Sequence, residues 1–209
     1  MSEKGRVEAF SDGVFAIAIT LLVLEIHVPE IEPGRSLWVA LGRGWPSYAA
    51  YVVGFLVIGV MWLNHNTTFG YIATVNRSLL LLNLALLMAI VAVPWPVELV
   101  ARYLDRGDQA SVAVAVLGLL MTAMSVTFTA FWQYATRHPE LLRADVDVAS
   151  VSGGRVRFAF GLVAYPALTL LSFLSAPVTL ALHGVLALYY AFDQTAARSA
   201  ARSARSARP

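Results

Sequence analysis

The chain has 209 residues, of which 58% are hydrophobic and 13% are charged. Soluble domains carry about 25% charged residues, so this composition excludes an ordinary soluble protein and predicts a membrane protein. The absence of cysteine excludes disulfide bonds and thiolate metal sites, and the net charge of +2 by itself favours no class of partner.

The first predicted element is a membrane-spanning helix over residues 6–28. It begins with a polar cluster that includes Arg6 and Asp12, and a continuous apolar run follows from Gly13 to Leu24. At about 1.5 Å per residue the stretch is long enough to cross a bilayer. Acidic residues precede the apolar run and no small-residue cleavage site follows it, so we interpret the segment as a retained helix and not as a signal peptide.

One face of this helix carries a narrow stripe formed by Ile17, Thr20, Leu21 and Leu24, which follow i, i+3, i+4, i+7 spacing. Asp12 is rotated by about 140° from Ile17 and therefore lies off the stripe. From spacing alone, the stripe is either a packing surface in a membrane bundle, which is the commoner role, or the lining of a pore. The charged group needs a partner, because an unpaired carboxylate in a membrane is costly.

Five further spans follow a polar loop at residues 29–46, and they are predicted over residues 47–71, 79–100, 110–134, 156–174 and 178–192. The second span ends in a dense polar group that contains Trp62 and His65, and Asn83 is the one strongly polar interior residue of the third. Pro94 is expected to kink the third span, and Pro166 to interrupt the fifth. The last two spans are short and could instead form one re-entrant hairpin.

The C-terminal segment, residues 196–209, repeats Arg-Ser-Ala units and is predicted to be a disordered basic tail. The domain organisation is then one six-helix transmembrane domain over residues 1–195 followed by this tail. Its arginines could suggest nucleic acid, but a role in membrane topology explains them, and no nucleic-acid partner is predicted.

The placement of lysine and arginine predicts the orientation in the membrane. With six spans and an inside N-terminus, the outside set is Arg35, Arg43, Arg102 and Arg106. The inside set is much larger and consists of Lys4, Arg6, Arg77, Arg137, Arg143, Arg155, Arg157, Arg198, Arg202, Arg205 and Arg208. Both termini are therefore predicted to be cytoplasmic. Asp12 and His65 then lie at the same membrane face, which predicts a polar network between the first two spans.

Two motifs identify a family. The pattern R-x-x-x-F-S-D, formed here by Arg6, Phe10, Ser11 and Asp12, resembles the first helix of the bacterial relatives of the endolysosomal potassium channel, transmembrane protein 175. Trp62 and His65 are similar to the second-helix pattern of the same family, a Trp followed three residues later by His. The chain departs from the family at Asn66, where a second His is common.

The resemblance implies a potassium channel without a T-V-G-Y-G filter, and no such sequence occurs in this chain. It implies a homotetramer in the cell membrane whose first helices line a central pore, with potassium ions and the lipid bilayer as the other partners. The family's constricting positions correspond to Ile17, Leu21 and Leu24, and Thr20 supplies a hydroxyl ring. Under the resemblance, pore lining becomes the preferred role of the stripe.

The ionisable residues leave alternatives open. Asp12 could anchor the first span to His65 or to Arg6, or it could be a carboxylate that stabilises the start of a helix. If Asp12 and His65 relayed protons, the protein would be a proton-coupled secondary transporter, which is the alternative function. Glu25 and His27, at the other end of the first span, either form a cation-attracting ring or extend into the interface.

No enzyme signature is present in the sequence: H-E-x-x-H, G-x-S-x-G, the Walker loop and the dinucleotide fingerprint are all absent. The four histidines are scattered without metal-ligand spacing. The sequence therefore predicts no enzyme activity, no cofactor and no resident metal, only potassium ions in transit.

Overall fold

The computed structural model describes residues 2–30, 34, 36–146 and 148–206, and their side chains except at 148–159 and 192–206. Almost all of this described backbone is α-helical, with two short 3-10 turns. The helices are Glu3–Leu21 (α1), Leu37–Arg43 (α2), Trp45–Tyr71 (α3), Arg77–Val91 (α4), Pro94–Tyr103 (α5), Asp108–Arg137 (α6), Val148–Leu171 (α7) and Ala176–Ser206 (α8). The 3-10 turns are Leu22–Glu25, directly after α1, and Pro139–Leu141.

Four segments of the described chain are long and apolar enough to cross a membrane. They are Glu3–Glu25, Trp45–Tyr71, Arg77–Tyr103 and Asp108–Arg137. They coincide with the first four predicted spans, so the all-α membrane class is confirmed. Two shorter apolar stretches, Phe160–Leu171 and Ala176–Ala191, lie where the fifth and sixth spans are predicted. The count of six spans stays a prediction.

Proline has different effects in two of these segments. α4 ends at Val91 and α5 begins at Pro94, in the first turn of a helix, where a missing N–H removes no helical hydrogen bond. The predicted kink of the third span is therefore confirmed. The predicted interruption at Pro166 is wrong, because α7 continues through this residue. Membrane helices tolerate an internal proline when neighbouring groups satisfy the carbonyl that it leaves unpaired.

The last helix, α8, continues to Ser206 and so enters the segment 196–209 for which the sequence predicts disorder. Residues 207–209, and the side chains of the tail as a whole, lie outside the described residues. The disordered tail stays a prediction.

Helix α1 lies against α3 and α4. It buries Ser11, Phe15 and Ala18, and Leu22 continues the same face into the 3-10 turn. These positions are separated by four, three and four residues, which is the spacing of a single helix face. The core continues from there through α3, α5 and α6, whereas α7 packs mainly on α6, and α8 mainly on α3.

Two connections on the predicted cytoplasmic side are tied together by main-chain hydrogen bonds. Ile72, after α3, forms an isolated antiparallel bridge with Leu142, after α6. The Ala73 N–H donates to the Leu141 carbonyl at 2.8 Å, and the Arg143 N–H donates to the Tyr71 carbonyl at 3.0 Å. This pairing holds the C-terminal ends of α3 and α6 in a fixed relation.

Glycine permits the close approach of α6 and α7. An ideal Cβ at Gly118 would lie 2.3 Å from Thr169 Oγ1 and 3.2 Å from Thr169 Cα. The hydroxyl cannot simply rotate away without loss, because it donates to the Tyr165 carbonyl at 2.8 Å. The two helices would have to separate to admit a methyl group.

We therefore expect Gly118→Ala to lower the free energy of unfolding by about 1–3 kcal/mol, as overpacking does, despite the higher helix propensity of alanine. Gly70→Ala is the matched control, since nothing lies within 4 Å of an ideal Cβ there. Thermal unfolding of both variants in the same detergent measures the difference. Equal midpoints for the two variants would contradict the close packing of α6 on α7.

Candidate ion pathway and its supporting network

The predicted stripe of α1 is uncovered in the subunit. Ile17, Leu21 and Leu24 are 60%, 39% and 65% exposed, and Thr20 is also exposed. Ala18, one position away from Ile17, is fully buried. The stripe therefore does not pack inside its own subunit, and its surroundings must be lipid, another protein surface or a pore. Pore lining stays a prediction at this point.

Thr20 directs its hydroxyl group back into its own helix. Its Oγ1 donates to the carbonyl of Ala16 at 2.8 Å or to that of Ile17 at 2.9 Å. A threonine hydroxyl has one hydrogen and two lone pairs. The hydrogen is used locally, so the oxygen presents lone pairs to whatever lies beside the stripe.

Behind the stripe, three buried polar side chains link α1, α3 and α4. His65 Nε2 lies 2.8 Å from Asn83 Oδ1, and Asn83 Nδ2 donates to Ser11 Oγ at 3.1 Å. An amide oxygen only accepts, so this arrangement assigns the proton to Nε2 of His65. Asn83 is thus the central member of the network. Sequence reasoning noticed it only as an isolated polar residue in an apolar helix.

Aromatic rings fix the position of the His65 imidazole. Its centroid lies 5.3 Å from that of Phe15, 4.5 Å from that of Phe69 and 6.4 Å from that of Phe131. The side chain is only 2% exposed. His65 is therefore a packed and hydrogen-bonded residue in this structure, in contact with three helices.

Asp12 has a different partner from the two that its sequence position suggested. Its Oδ1 accepts a hydrogen bond from Nε1 of Trp62 at 2.8 Å, and neither His65 nor Arg6 is bonded to it in the described part of the chain. The bond joins the exposed edge of α1 to α3. Of the family motif, Ser11 and Asp12 thus attach α1 to its neighbours, whereas Arg6 and Phe10 are exposed in the subunit.

The hydrogen bond between Asp12 and Trp62 leads to a prediction about the stability of the folded assembly. We expect Asp12→Ala to reduce the stability of the folded assembly by about 1 kcal/mol and to leave ion selectivity unchanged, because Asp12 points away from the stripe. Trp62→Phe, which removes the indole N–H, should have a similar effect, and the double variant should be little worse than either. A double-mutant cycle of unfolding midpoints measures the coupling. Normal stability with altered selectivity would show that Asp12 acts on the pathway instead.

At the other end of α1, the 3-10 turn Leu22–Glu25 packs against α5. Nδ1 of His27 lies 3.0 Å from the main-chain carbonyl of Glu25, and Glu98 of α5 forms a salt bridge with Arg102. His27 thus contacts the main-chain carbonyl of Glu25 and not its carboxylate.

Comparisons with known proteins identify the family. A family model described as the endosomal/lysosomal potassium channel TMEM175 matches residues 6–94. A potassium channel of Streptomyces collinus is 55% identical over 194 residues, covering 93% of this chain and 94% of the relative. This chain belongs to the TMEM175 channel family. The family resemblance predicted from the two motifs is therefore confirmed.

Two further TMEM175 relatives show how far the likeness extends. The crystal structure of a lysosomal potassium-selective channel TMEM175 homolog from Chamaesiphon minutus is 38% identical, with a TM-score of 0.83, and the match covers 92% of this chain and 98% of that one. Human TMEM175, named an endosomal/lysosomal proton channel, is 32% identical over 183 residues, which cover 82% of this chain and 36% of the human protein. TMEM175 proteins are channels, which agrees with the prediction that this protein is not an enzyme.

Proposed function

We propose that this chain assembles as a homotetramer in the cell membrane and conducts potassium through a pore lined by α1. The observation that carries the proposal is the uncovered stripe on a helix that buries a single face in its own subunit: Ile17 and Leu24 are more than half exposed, while Ala18 on the buried face is fully covered. The bacterial relative that is 55% identical is named a potassium channel, which supports the choice of ion.

One stripe cannot enclose a pathway, but rotational symmetry brings identical stripes together around an axis. In the proposed tetramer, Ile17, Leu21 and Leu24 form successive apolar rings, and Thr20 forms a ring of hydroxyl oxygens between them. A narrow apolar ring excludes water and so blocks ions without a charged gate. Selectivity would then depend on ring diameter and ion hydration, because the chain has no T-V-G-Y-G sequence whose carbonyls could replace the hydration shell.

The orientation belongs to the same proposal. Six spans with both termini in the cytoplasm place most lysines and arginines on the inside, which is the usual bias of membrane proteins. The network of Ser11, Asn83 and His65 then supports α1 at the cytoplasmic end of the pathway. Glu25 and the 3-10 turn lie at the extracellular mouth.

Reconstitution into planar bilayers tests the proposal. We expect unitary current steps and, under bi-ionic conditions, a reversal potential that reports potassium passing in preference to sodium. Liposomes that show no potassium flux, although they contain the assembled protein, would contradict it.

The alternative is proton transport, which the name of the human relative as a proton channel brings into consideration. A proton-coupled transporter would use Asp12 and His65 as a relay, but in this structure Asp12 bonds to Trp62 and His65 to Asn83. The run between Asp12 and Glu25 also contains no titratable side chain. A reversal potential that follows the proton gradient and ignores the potassium gradient would favour this alternative.

A further inference from the structure

Two strips of apolar residues lie uncovered on the helices that hold α1. The strip on α3, here called the α3 edge, consists of Val52, Phe55, Gly59 and Trp62. The strip on α4, which continues into α5 and is here called the α4 edge, consists of Leu81, Leu84, Met88, Val91 and Trp95. All of these residues are exposed except Gly59, which is half-buried. Along both edges the residues are separated alternately by three and four positions, the spacing with which two helices pack along a seam.

Both edges lie beside α1. An ideal Cβ at Gly59, in the α3 edge, would lie 3.9 Å from Cδ1 of Ile19. On α4, Asn83 donates to Ser11 Oγ at 3.1 Å and directly precedes Leu84 of the α4 edge. The edges belong to the two helices between which α1 lies, so each subunit presents one edge on each side of its proposed pore helix.

Rotational symmetry determines which surfaces meet. A ring of subunits around α1 gives every subunit two neighbours, and the two edges of a subunit are different surfaces. The contact is then heterologous, with the α3 edge of one subunit against the α4 edge of the next. Rotation about an axis normal to the membrane does not change depth, so residues that face each other across the contact lie at equal depth.

The network behind α1 gives the relative depth of the two edges near one membrane face. His65 Nε2 lies 2.8 Å from Asn83 Oδ1, so these two residues are level. A short link joins α3 to α4, so the two helices run in opposite directions. Gly59 precedes His65 by six residues and Met88 follows Asn83 by five, which places them about 9 Å and about 7.5 Å further into the membrane.

A second contact gives the relative depth near the other membrane face. An ideal Cβ at Gly54 of α3 would lie 2.9 Å from Cγ2 of Val97 of α5, so these residues are also level. Phe55 is one residue from Gly54 and Trp95 is two residues from Val97, both in the direction of the network. Their depths therefore differ by only about 1.5 Å.

The charges beside the edges are complementary. Arg77 is exposed at the start of α4, four residues before Leu81 and on the same face, and it forms no salt bridge in the described part of the chain. Asp12 is exposed on the α3 side of α1, where one of its oxygens accepts from Trp62. A basic group thus begins one edge and an acidic group lies beside the other. This arrangement favours contact between unlike edges over contact between like edges.

We propose that the α3 edge of each subunit binds the α4 edge of the next copy of this chain, with Gly59 against Met88 and Phe55 against Trp95. The pairing rests on the proposed tetramer and assigns the surfaces that close it. The missing side chain of Gly59 leaves space for the long and adaptable side chain of Met88, and the rings of Phe55 and Trp95 form an aromatic pair. The α1 stripes then face the axis, enclosed by these contacts.

Cross-linking through introduced cysteines tests the pairing, since the chain has no cysteine of its own. The double variant Phe55→Cys with Trp95→Cys is treated in membranes with a short bis-methanethiosulfonate linker. On a denaturing gel it should shift from the one-chain band to bands of two, three and four chains. Each single variant should stay at one chain, because identical edges do not meet. Dimers from a single variant in the same yield would show that like edges pair and would overturn the proposal.

A second pair and a control localise the contact. Gly59→Cys with Met88→Cys should cross-link in the same way, and it keeps the test decisive if the loss of two aromatic rings prevents folding. Phe55→Cys with Leu174→Cys is the control and should stay at one chain. Leu174 is exposed but follows α7, which packs mainly on α6. Absence of cross-links in both test pairs, or equal cross-linking of the control, would overturn the pairing.

Two measurements on the same samples separate this proposal from the proposed function. Native mass spectrometry gives the number of chains in the complex, and planar bilayers show whether it conducts. A conducting four-chain complex without cross-links at either test pair would overturn the pairing and leave the proposed pore intact. A complex of one chain would overturn both.

Discussion

Replacing Ile17 with asparagine is expected to raise the single-channel conductance about tenfold and to reduce the preference for potassium over sodium. Ile17 is the first aliphatic residue of the stripe and is 60% exposed in the subunit. Asparagine is similar in size but supplies a carbonyl and an amide, and a ring of such groups would keep the constriction wet. A tenfold change corresponds to a barrier about 1.4 kcal/mol lower.

Ala18→Ser provides the control for this experiment on the same helix. Ala18 is about 100° away from Ile17 around the axis and is completely buried against its own subunit. A serine hydroxyl there can donate to the preceding turn of the helix, so folding should be retained. Both variants should be compared in the same bilayers under bi-ionic conditions. If Ala18→Ser changed permeation strongly and Ile17→Asn left it unchanged, the pore would lie on the face of α1 that carries Ala18, and the assignment of Ile17 to the pore would be wrong.

Asn83→Ala is expected to have the largest effect on stability, a loss of about 2–4 kcal/mol in the free energy of unfolding. The substitution removes the acceptor of His65 and the donor to Ser11 at once, and each buried group left without a partner costs about 1–3 kcal/mol. Asn83 is the only described side chain that bonds to both. Detachment of α1 should accompany the loss, because Ser11 is the α1 end of this connection.

Hydrogen exchange separates this prediction from general destabilisation. In Asn83→Ala, amide protons of α1 should exchange faster than those of α6, and the unfolding midpoint should fall. Asn66→Ala is the matched control. Asn66 is an exposed asparagine on α3, one residue after His65. If the two variants unfolded at the same temperature, the network would not be what holds α1 in place.

The sequence contained the local features of the fold but not its contacts. The stripe of α1 is visible because helical periodicity is a local property, and the break before Pro94 is visible because proline lacks an N–H. The hydrogen-bond partners of the polar residues could not be predicted in the same way. Asp12 and Trp62 are 50 positions apart, and Ser11 and Asn83 are 72 positions apart. No local pattern indicates which of several polar side chains at one membrane face will meet.

The exposed stripe shows a second limit of the sequence. An amphipathic pattern states which residues share a face, but a membrane helix can be apolar on every side, so burial does not follow from hydrophobicity. Ala18 and Ile17 are both apolar, yet one is buried and the other is exposed. The distinction comes from which face of α1 lies against α3 and α4, and glycine permits part of this contact: an ideal Cβ at Gly54 of α3 would lie 3.3 Å from the side chain of Leu22.

The direction of one hydrogen atom bears on the sign of the charge that the proposed pore admits. The Thr20 hydroxyl hydrogen points to carbonyls of its own helix, so four such residues around an axis would present oxygen lone pairs alone. Chloride in that position would meet no donor, whereas a partly dehydrated cation would meet four acceptors. Anion rejection would then need no fixed negative charge along the apolar stretch, only an i−4 hydrogen bond that each helix makes with itself.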